Sequence, residues 1–264
     1  MANESLGTPG KRDQPEQQAP PVQRLRIRYA KRGRLRFTSH RDFSRAFERA
    51  LFRARIPMAY SSGFNPHPRI SYAGASPTGA ASEAEYLEIG LSEVRDPDAV
   101  RRELDASLPD GLDVVEVVPS AGGALADRLE ASLWEITMAD VDLDTLAEAA
   151  RGLLATEEVP VERMTKKGLR RFDAREAIVS LATRSGAVRP GESSGDRGTC
   201  AILQVVLRHG TPSVRPDDVL AALREISGID TGPAALAQRL AQGPLDPGTG
   251  TVGDPLSPDR DAAG

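Results

Sequence analysis

The chain has 264 residues, 39% of them hydrophobic and 27% charged, with a formal net charge of −4. That length holds one large or two small domains, and two is our reading. The lone cysteine, Cys200, excludes an internal disulfide framework and a protein-held iron–sulfur cluster. No run of 18 apolar residues and no apolar leader core is present, so neither a membrane span nor a secretory signal is expected, and the cytoplasm is the expected location.

In chain order, residues 1–22 are Pro- and Gln-rich without apolar periodicity and read as a disordered tail. Arg24-Leu25-Arg26-Ile27-Arg28-Tyr29 alternates, which puts Leu25, Ile27 and Tyr29 on one sheet face and three arginines on the other. Arg34-Leu35-Arg36-Phe37 repeats the pattern and predicts a second extended piece. Ser39-His40-Arg41-Asp42 is a capping-box signature. The helix after it carries Phe43, Ala46, Phe47, Ala50, Leu51 and Ala54 on one stripe and Arg41, Arg45, Arg49 and Arg53 on the opposite side. Short extended pieces, Met58–Tyr60 and Ile70–Tyr72, flank Gly63-Phe64-Asn65-Pro66-His67-Pro68-Arg69. Tyr86–Leu91 predicts a strand, Asp96-Pro97 opens a helix, and Leu112–Val118 predicts a buried strand. The order β-α-β-β-α-β is the split βαβ, ferredoxin-like pattern.

Ala121–Gly123 reads as a hinge. Beyond it Leu133–Met138 and Val159–Met164 predict strands, and Leu143–Ala155 a helix. Ile178–Thr183 and Ala201–Arg208 are expected to pair across a flexible loop, Arg184–Gly198. Pro216–Ile226 predicts a helix. A clear last strand is missing, and Pro233–Leu240 suggests a small extra helix. The expected architecture is α+β: two tandem ferredoxin-like units, residues 23–120 and 124–242, the second incomplete, with disordered tails at 1–22 and 243–264.

Charge is the most informative feature for function. Twelve Arg and Lys stand against two acids between Arg24 and Arg55, in a chain that is acidic as a whole. Such one-signed asymmetry points to a polyanion, and RNA fits best. A helix-free sheet face would present Arg24, Arg26 and Arg28, and the helix would add Arg41, Arg45 and Arg49 to hold phosphates. Pro66 and Pro68 stiffen the loop that presents Phe64, Asn65, His67 and Arg69. A second basic cluster, Lys166, Lys167, Arg170 and Arg171, carries Phe172 beside it. The plainer alternatives are a solvated polar face, a cap that contains a histidine, and a structural connector. The three histidines and Cys200 lack ligand spacing, so no metal site and no cofactor is expected in this chain. His40 and His67 are the catalytic candidates, as base and acid of a metal-independent endoribonuclease. A protein-docking adapter that binds no RNA is a third reading.

The run from Arg28 to Ala73, above all Tyr60, Ser61 and Gly63 through Pro68, resembles the radical SAM-associated domain of unknown function. Lys166–Asp173 and Val214-Arg215-Pro216 resemble later blocks of that family. The resemblance implies a stand-alone form of a domain otherwise fused to cobalamin-binding radical SAM proteins. It also implies a separately encoded radical SAM partner and an association with RNA metabolism. It carries no catalytic residue over. The resulting expectation is an RNA-binding accessory protein for tRNA or rRNA modification or processing, more a helper than a catalyst.

Overall fold

The structure, a computed structural model, describes residues 17–139, 141–165, 168–187, 199–232 and 235–263. Among these are ten strands and five α-helices, most of them built on one mixed sheet. The first half runs β1 (Gln23–Lys31), α1 (His40–Arg53), β2 (Ile70–Ala73), β3 (Ala81–Leu91), α2 (Pro97–Asp105) and β4 (Leu112–Pro119). Leu25, Ile27 and Tyr29 of β1 face α1 and α2 as the alternation predicts, and they pack with Phe43, Phe47, Leu51, Val100 and Leu104. Ser39 caps α1 by accepting the Asp42 N–H at 3.2 Å. Asp96 caps α2 and Pro97 occupies its first turn.

The second half runs β5 (Ala131–Met138), α3 (Leu143–Ala155), β6 (Pro160–Thr165), β7 (Gly168–Asp173), β8 (Ile178–Ala187), β9 (Thr199–Arg208), α4 (Pro216–Ser227) and β10 (Leu236–Gly243). Its core joins Trp134, Ile136, Leu203 and Val205 from the sheet to Leu146, Leu153, Val219 and Leu223 from the helices. Strands β6 and β7 form a separate hairpin. The large sheet has the order β4-β1-β3-β10-β5-β9-β8, and β2 also pairs with β3. The joint between halves is β10, antiparallel to β5 and parallel to β3 where Gln238 and Arg239 face Ala81 and Ser82.

Four expectations are corrected. Arg34–Phe37 is not a strand: Gly33 takes a positive φ of 53° and the chain curls into a 3-10 turn over Gly33–Phe37. The segment expected as a helix over Pro233–Leu240 is instead β10, with residues 233 and 234 outside the described ones. Its mixed pattern is compatible with a helix, but the facing edges of β3 and β5 supply hydrogen-bonding partners on both sides. The flexible loop begins later than expected, because Arg184–Ala187 belong to β8, while residues 188–198 lie outside the described ones.

The fourth correction concerns the C-terminal tail, which ends in α5 (Ser257–Ala263). Leu256 is buried against Ala73, Ala84, Tyr86, Val118, Leu125 and Leu129, on the sheet face opposite α1. Lack of periodicity did not mean lack of structure here, because the segment is held by single buried contacts rather than by an amphipathic stripe. At the other end, residues 1–16 of the expected tail lie outside the described ones, and Val22 N–H already donates to Leu91 O at 2.8 Å.

Candidate functional site

The arginines of β1 do not form an open basic face. Arg26 is fully buried, and its guanidinium donates to Asp259 at 2.9 Å, to Glu88 at 3.1 Å and to the carbonyls of Gly122 and Gly123. Arg24 donates to Glu88 at 2.9 Å, and Arg28 to the Glu83 carbonyl at 2.9 Å. Arg32, on the connection to α1, is held by Glu83 and Asp113. The expected assignment of Arg26 to phosphate contact is therefore corrected: every direction its guanidinium offers is taken by protein oxygens. Arg24 and Arg28 are likewise engaged. The expected hinge is part of the same knot, since the Gly122 and Gly123 carbonyls accept from Arg26.

The helix arginines differ. Arg41, Arg45, Arg49 and Arg53 are all exposed, at i, i+4 spacing on the outer side of α1. Among the described residues none of them enters an ion pair; Arg53 donates to the Ser107 carbonyl. Arg45, Glu48, Arg49, Phe52 and Arg53 line one shallow depression, where Phe52 is 85% exposed. In the proline-stiffened loop, Ser61 N–H donates to His67 O at 2.9 Å and His67 N–H to Ser61 Oγ at 3.0 Å. Arg69 closes the loop base through the Tyr60 carbonyl. Phe64 is exposed instead of filling the core, and Asn65 and His67 are exposed beside it. Arg170 and Arg171 are exposed on β7, whereas Lys166 and Lys167 lie outside the described residues.

A cleft of about 870 Å³ opens where the two halves meet. Its walls come from the first residue of α1, the loop after β2, the ends of β5 and β9, the lead into α4, and β10. His40 lines it together with His209, while His67 does not. The expected acid–base pair of His40 and His67 is thus not gathered in this cleft. A bulge in β10 between Arg239 and Ala241 shifts the register by one. It brings Arg239 and Gln242 together, with Arg239 Nη1 donating to Gln242 Oε1 at 2.5 Å.

The cleft floor is a buried charged network. Arg239 pairs with Glu85 and donates to Ser82 Oγ at 3.3 Å. Burial alone would raise the Glu85 pKa, but Arg239, Ser82, the Ser76 N–H and Lys31 outweigh it and hold the carboxyl below its usual range. Burial pulls Lys31 down, against the attraction of Glu85. His209 Nδ1 donates to the Leu129 carbonyl at 2.7 Å, so Nε2 is the acceptor for Ser132 O–H, also at 2.7 Å. Loss of solvation lowers the His209 pKa and favours this neutral tautomer. Sequence reasoning missed His209, Ser132, Arg239 and Gln242, because nothing local marks residues that meet only through the joint at β10. Among the described residues no cluster of three or more His, Cys, Asp or Glu could hold a metal ion.

Fold and site together define a mixed α+β protein whose two halves share a sheet and enclose a polar cleft. The chain belongs to the family described as an uncharacterized protein conserved in bacteria (DUF2344), which matches residues 24–216. No curated protein matches it. Solved structures similar to it include two described as DyP-type peroxidases and one described as DyPB. One, from Shewanella oneidensis, is 8% identical, with 88% of this chain and 95% of that chain covered, at a TM-score of 0.22. The encapsulated peroxidase from Mycobacterium smegmatis is 12% identical, with 87% and 94% covered, at 0.20. DyPB from Rhodococcus jostii RHA1 is 12% identical, with 86% and 92% covered, at 0.17. Likenesses this low carry no argument about fold or chemistry.

Proposed function

We propose that this protein is an RNA-binding accessory factor whose contact surface is the outer side of α1. One observation carries the reading: Arg41, Arg45, Arg49 and Arg53 are exposed in a row and, among the described residues, without ion pairs, around an exposed Phe52, while on β1 Arg26 is fully buried and paired and Arg24 and Arg28 are each held by a protein oxygen. A row of exposed guanidiniums at a spacing of one helical turn suits successive phosphates, and an exposed aromatic ring suits an unstacked base. The exposed Phe64, Asn65 and His67 on their stiff loop, and Arg170 and Arg171 on the hairpin, are further contact candidates.

Two finer points belong to this reading. Each half is a ferredoxin-like unit, supported by the antiparallel orders β4-β1-β3-β2 and β10-β5-β9-β8, with the β6–β7 hairpin inserted in the second. The RNA is a tRNA or rRNA presented to a separate radical SAM enzyme, as the family resemblance implies.

A filter-binding titration against tRNA and rRNA at several salt concentrations tests the proposal. Each phosphate contact contributes roughly 0.7–0.9 to the log–log salt slope. The triple variant R41A/R45A/R49A should weaken binding strongly and flatten that slope by roughly 2–3, whereas R24A should leave it unchanged. Absence of wild-type binding at low salt, or binding indifferent to the triple variant, would refute it. A complex with another protein that survives nuclease treatment and still needs these arginines would show a protein adapter instead.

A further inference from the structure

The cleft between the halves holds polar groups that the fold itself leaves unpaired. Gln242 is fully buried, and its Oε1 accepts from Arg239 at 2.5 Å, while the one hydrogen of the Ser132 hydroxyl goes to His209 Nε2. Its Nε2 has no acceptor among the described residues. The amide cannot be turned around, because that would point its N–H groups at the Arg239 guanidinium. Ser76 Oγ, also on the cleft wall, is buried without a partner among the described residues. A buried donor left without an acceptor costs stability, so a fold that keeps two such groups at the base of one cleft is suited to a ligand that completes them. At the rim stand Arg215, exposed and without an ion pair among the described residues, and His40.

We infer that this cleft takes a single nucleotide unit, with its phosphate at the rim beside Arg215 and His40 and an acceptor on its base toward Gln242 Nε2 and Ser76. The inference rests on the reading of α1 as the RNA surface and names what that RNA inserts. His40 is the first residue of α1 and also lines the cleft, so a strand that runs along the helix arginines arrives at the cleft mouth. The volume of about 870 Å³ lies in the range of small-ligand sites, and recognition of an RNA base requires it to be splayed from its stack. The lining is polar and sets Arg215 and Arg239 against the carboxylate of Asp217, which favours an anionic ligand over a cation or a lipid.

Isothermal titration calorimetry of the full chain with 5′-AMP, 5′-GMP, 5′-CMP, 5′-UMP and inorganic phosphate tests it. At least one mononucleotide should bind, and inorganic phosphate should bind more weakly. Ser76→Ala removes a hydroxyl with no partner among the described residues, so folding should be retained and affinity should fall by roughly 2- to 10-fold. Arg215→Ala, at an exposed position, should cost roughly 10- to 100-fold through a charged contact. The triple variant R41A/R45A/R49A should keep mononucleotide binding while losing RNA. If no mononucleotide binds although RNA does, the inference is overturned and the RNA surface stands. Equal affinity for phosphate and mononucleotides, or indifference to both cleft variants, overturns it as well. Mononucleotide binding by a protein that ignores RNA would overturn the claim that the inserted unit belongs to an RNA.

Discussion

Asp259→Ala should destabilise this protein severely, although Asp259 lies five residues from the end of the chain. Its side chain is fully buried and accepts from Arg26 Nη1 at 2.9 Å, from Arg128 Nη1 at 2.7 Å and from the Ala121 N–H at 2.8 Å. Removing the carboxylate leaves Arg26, itself fully buried, with Glu88 as its one acidic partner among the described residues. Breaking one side of a buried pair costs about 3–5 kcal/mol, against about 0–1 kcal/mol for a surface pair. Because Glu88 still compensates part of the Arg26 charge, we expect about 3 kcal/mol, the low end of that range. A domain of this size shifts by about 2–4 °C per kcal/mol, so the melting temperature should fall by roughly 6–12 °C. Urea unfolding followed by circular dichroism measures the loss directly. Replacing both partners with apolar residues, R26M/D259L, should cost less than the two single changes added together. A loss below about 1 kcal/mol in Asp259→Ala would mean that α5 is a loosely held tail, and the argument for the buried pair would fail.

The titration of Asp259 should follow the same logic. Burial raises its pKa, yet the Ala121 N–H, Arg26 and Arg128 outweigh that and hold it below the ordinary carboxylate value; the stabilisation is complete above about pH 4 and lost as pH falls through the folded-state value. His209 works at higher pH: its folded pKa is depressed, so the unfolded chain takes up the proton first, and stability from this group is complete above about pH 6.5 and declines on acidification. The difference between wild type and His209→Ala in melting temperature should therefore shrink from pH 7 to pH 5.5, and parallel curves would contradict the neutral tautomer. Gly243→Ala would place a Cβ 2.1 Å from the Gly253 carbonyl oxygen, a backbone clash, and should cost about 1–3 kcal/mol in denaturant unfolding. Phe47→Ala, in the core, should cost about 3–5 kcal/mol, whereas Phe52→Ala should change stability by under about 0.5 kcal/mol while weakening RNA in the filter assay.

Local pattern was enough for the elements that bury one continuous face. The alternation in β1, the stripe of α1 and the caps at Ser39 and Asp96 are all found in the structure where the sequence places them. The pairing of β8 with β9 was equally legible. Elements whose conformation depends on distant partners were not. Leu236–Gly243 has too little periodicity to declare itself a strand, and becomes one by filling a gap between two sheet edges.

The same division holds for the candidate site. That arginines 41, 45, 49 and 53 share the outer side of a helix follows from their spacing alone, since 3.6 residues per turn dictates it. Which arginines remain available was decided only in three dimensions. Arg26 alternates in sequence just as a surface arginine does, and it is buried because a carboxylate 233 residues away folds back onto it. Ser76, Ser132, His209, Arg215 and Gln242 carry no mark of common purpose in the linear order, and meet because β10 joins the halves. Short-range backbone and burial preferences are written in neighbouring residues, whereas the fate of a charge is set by whatever counter-charge the folded chain brings within a few ångströms.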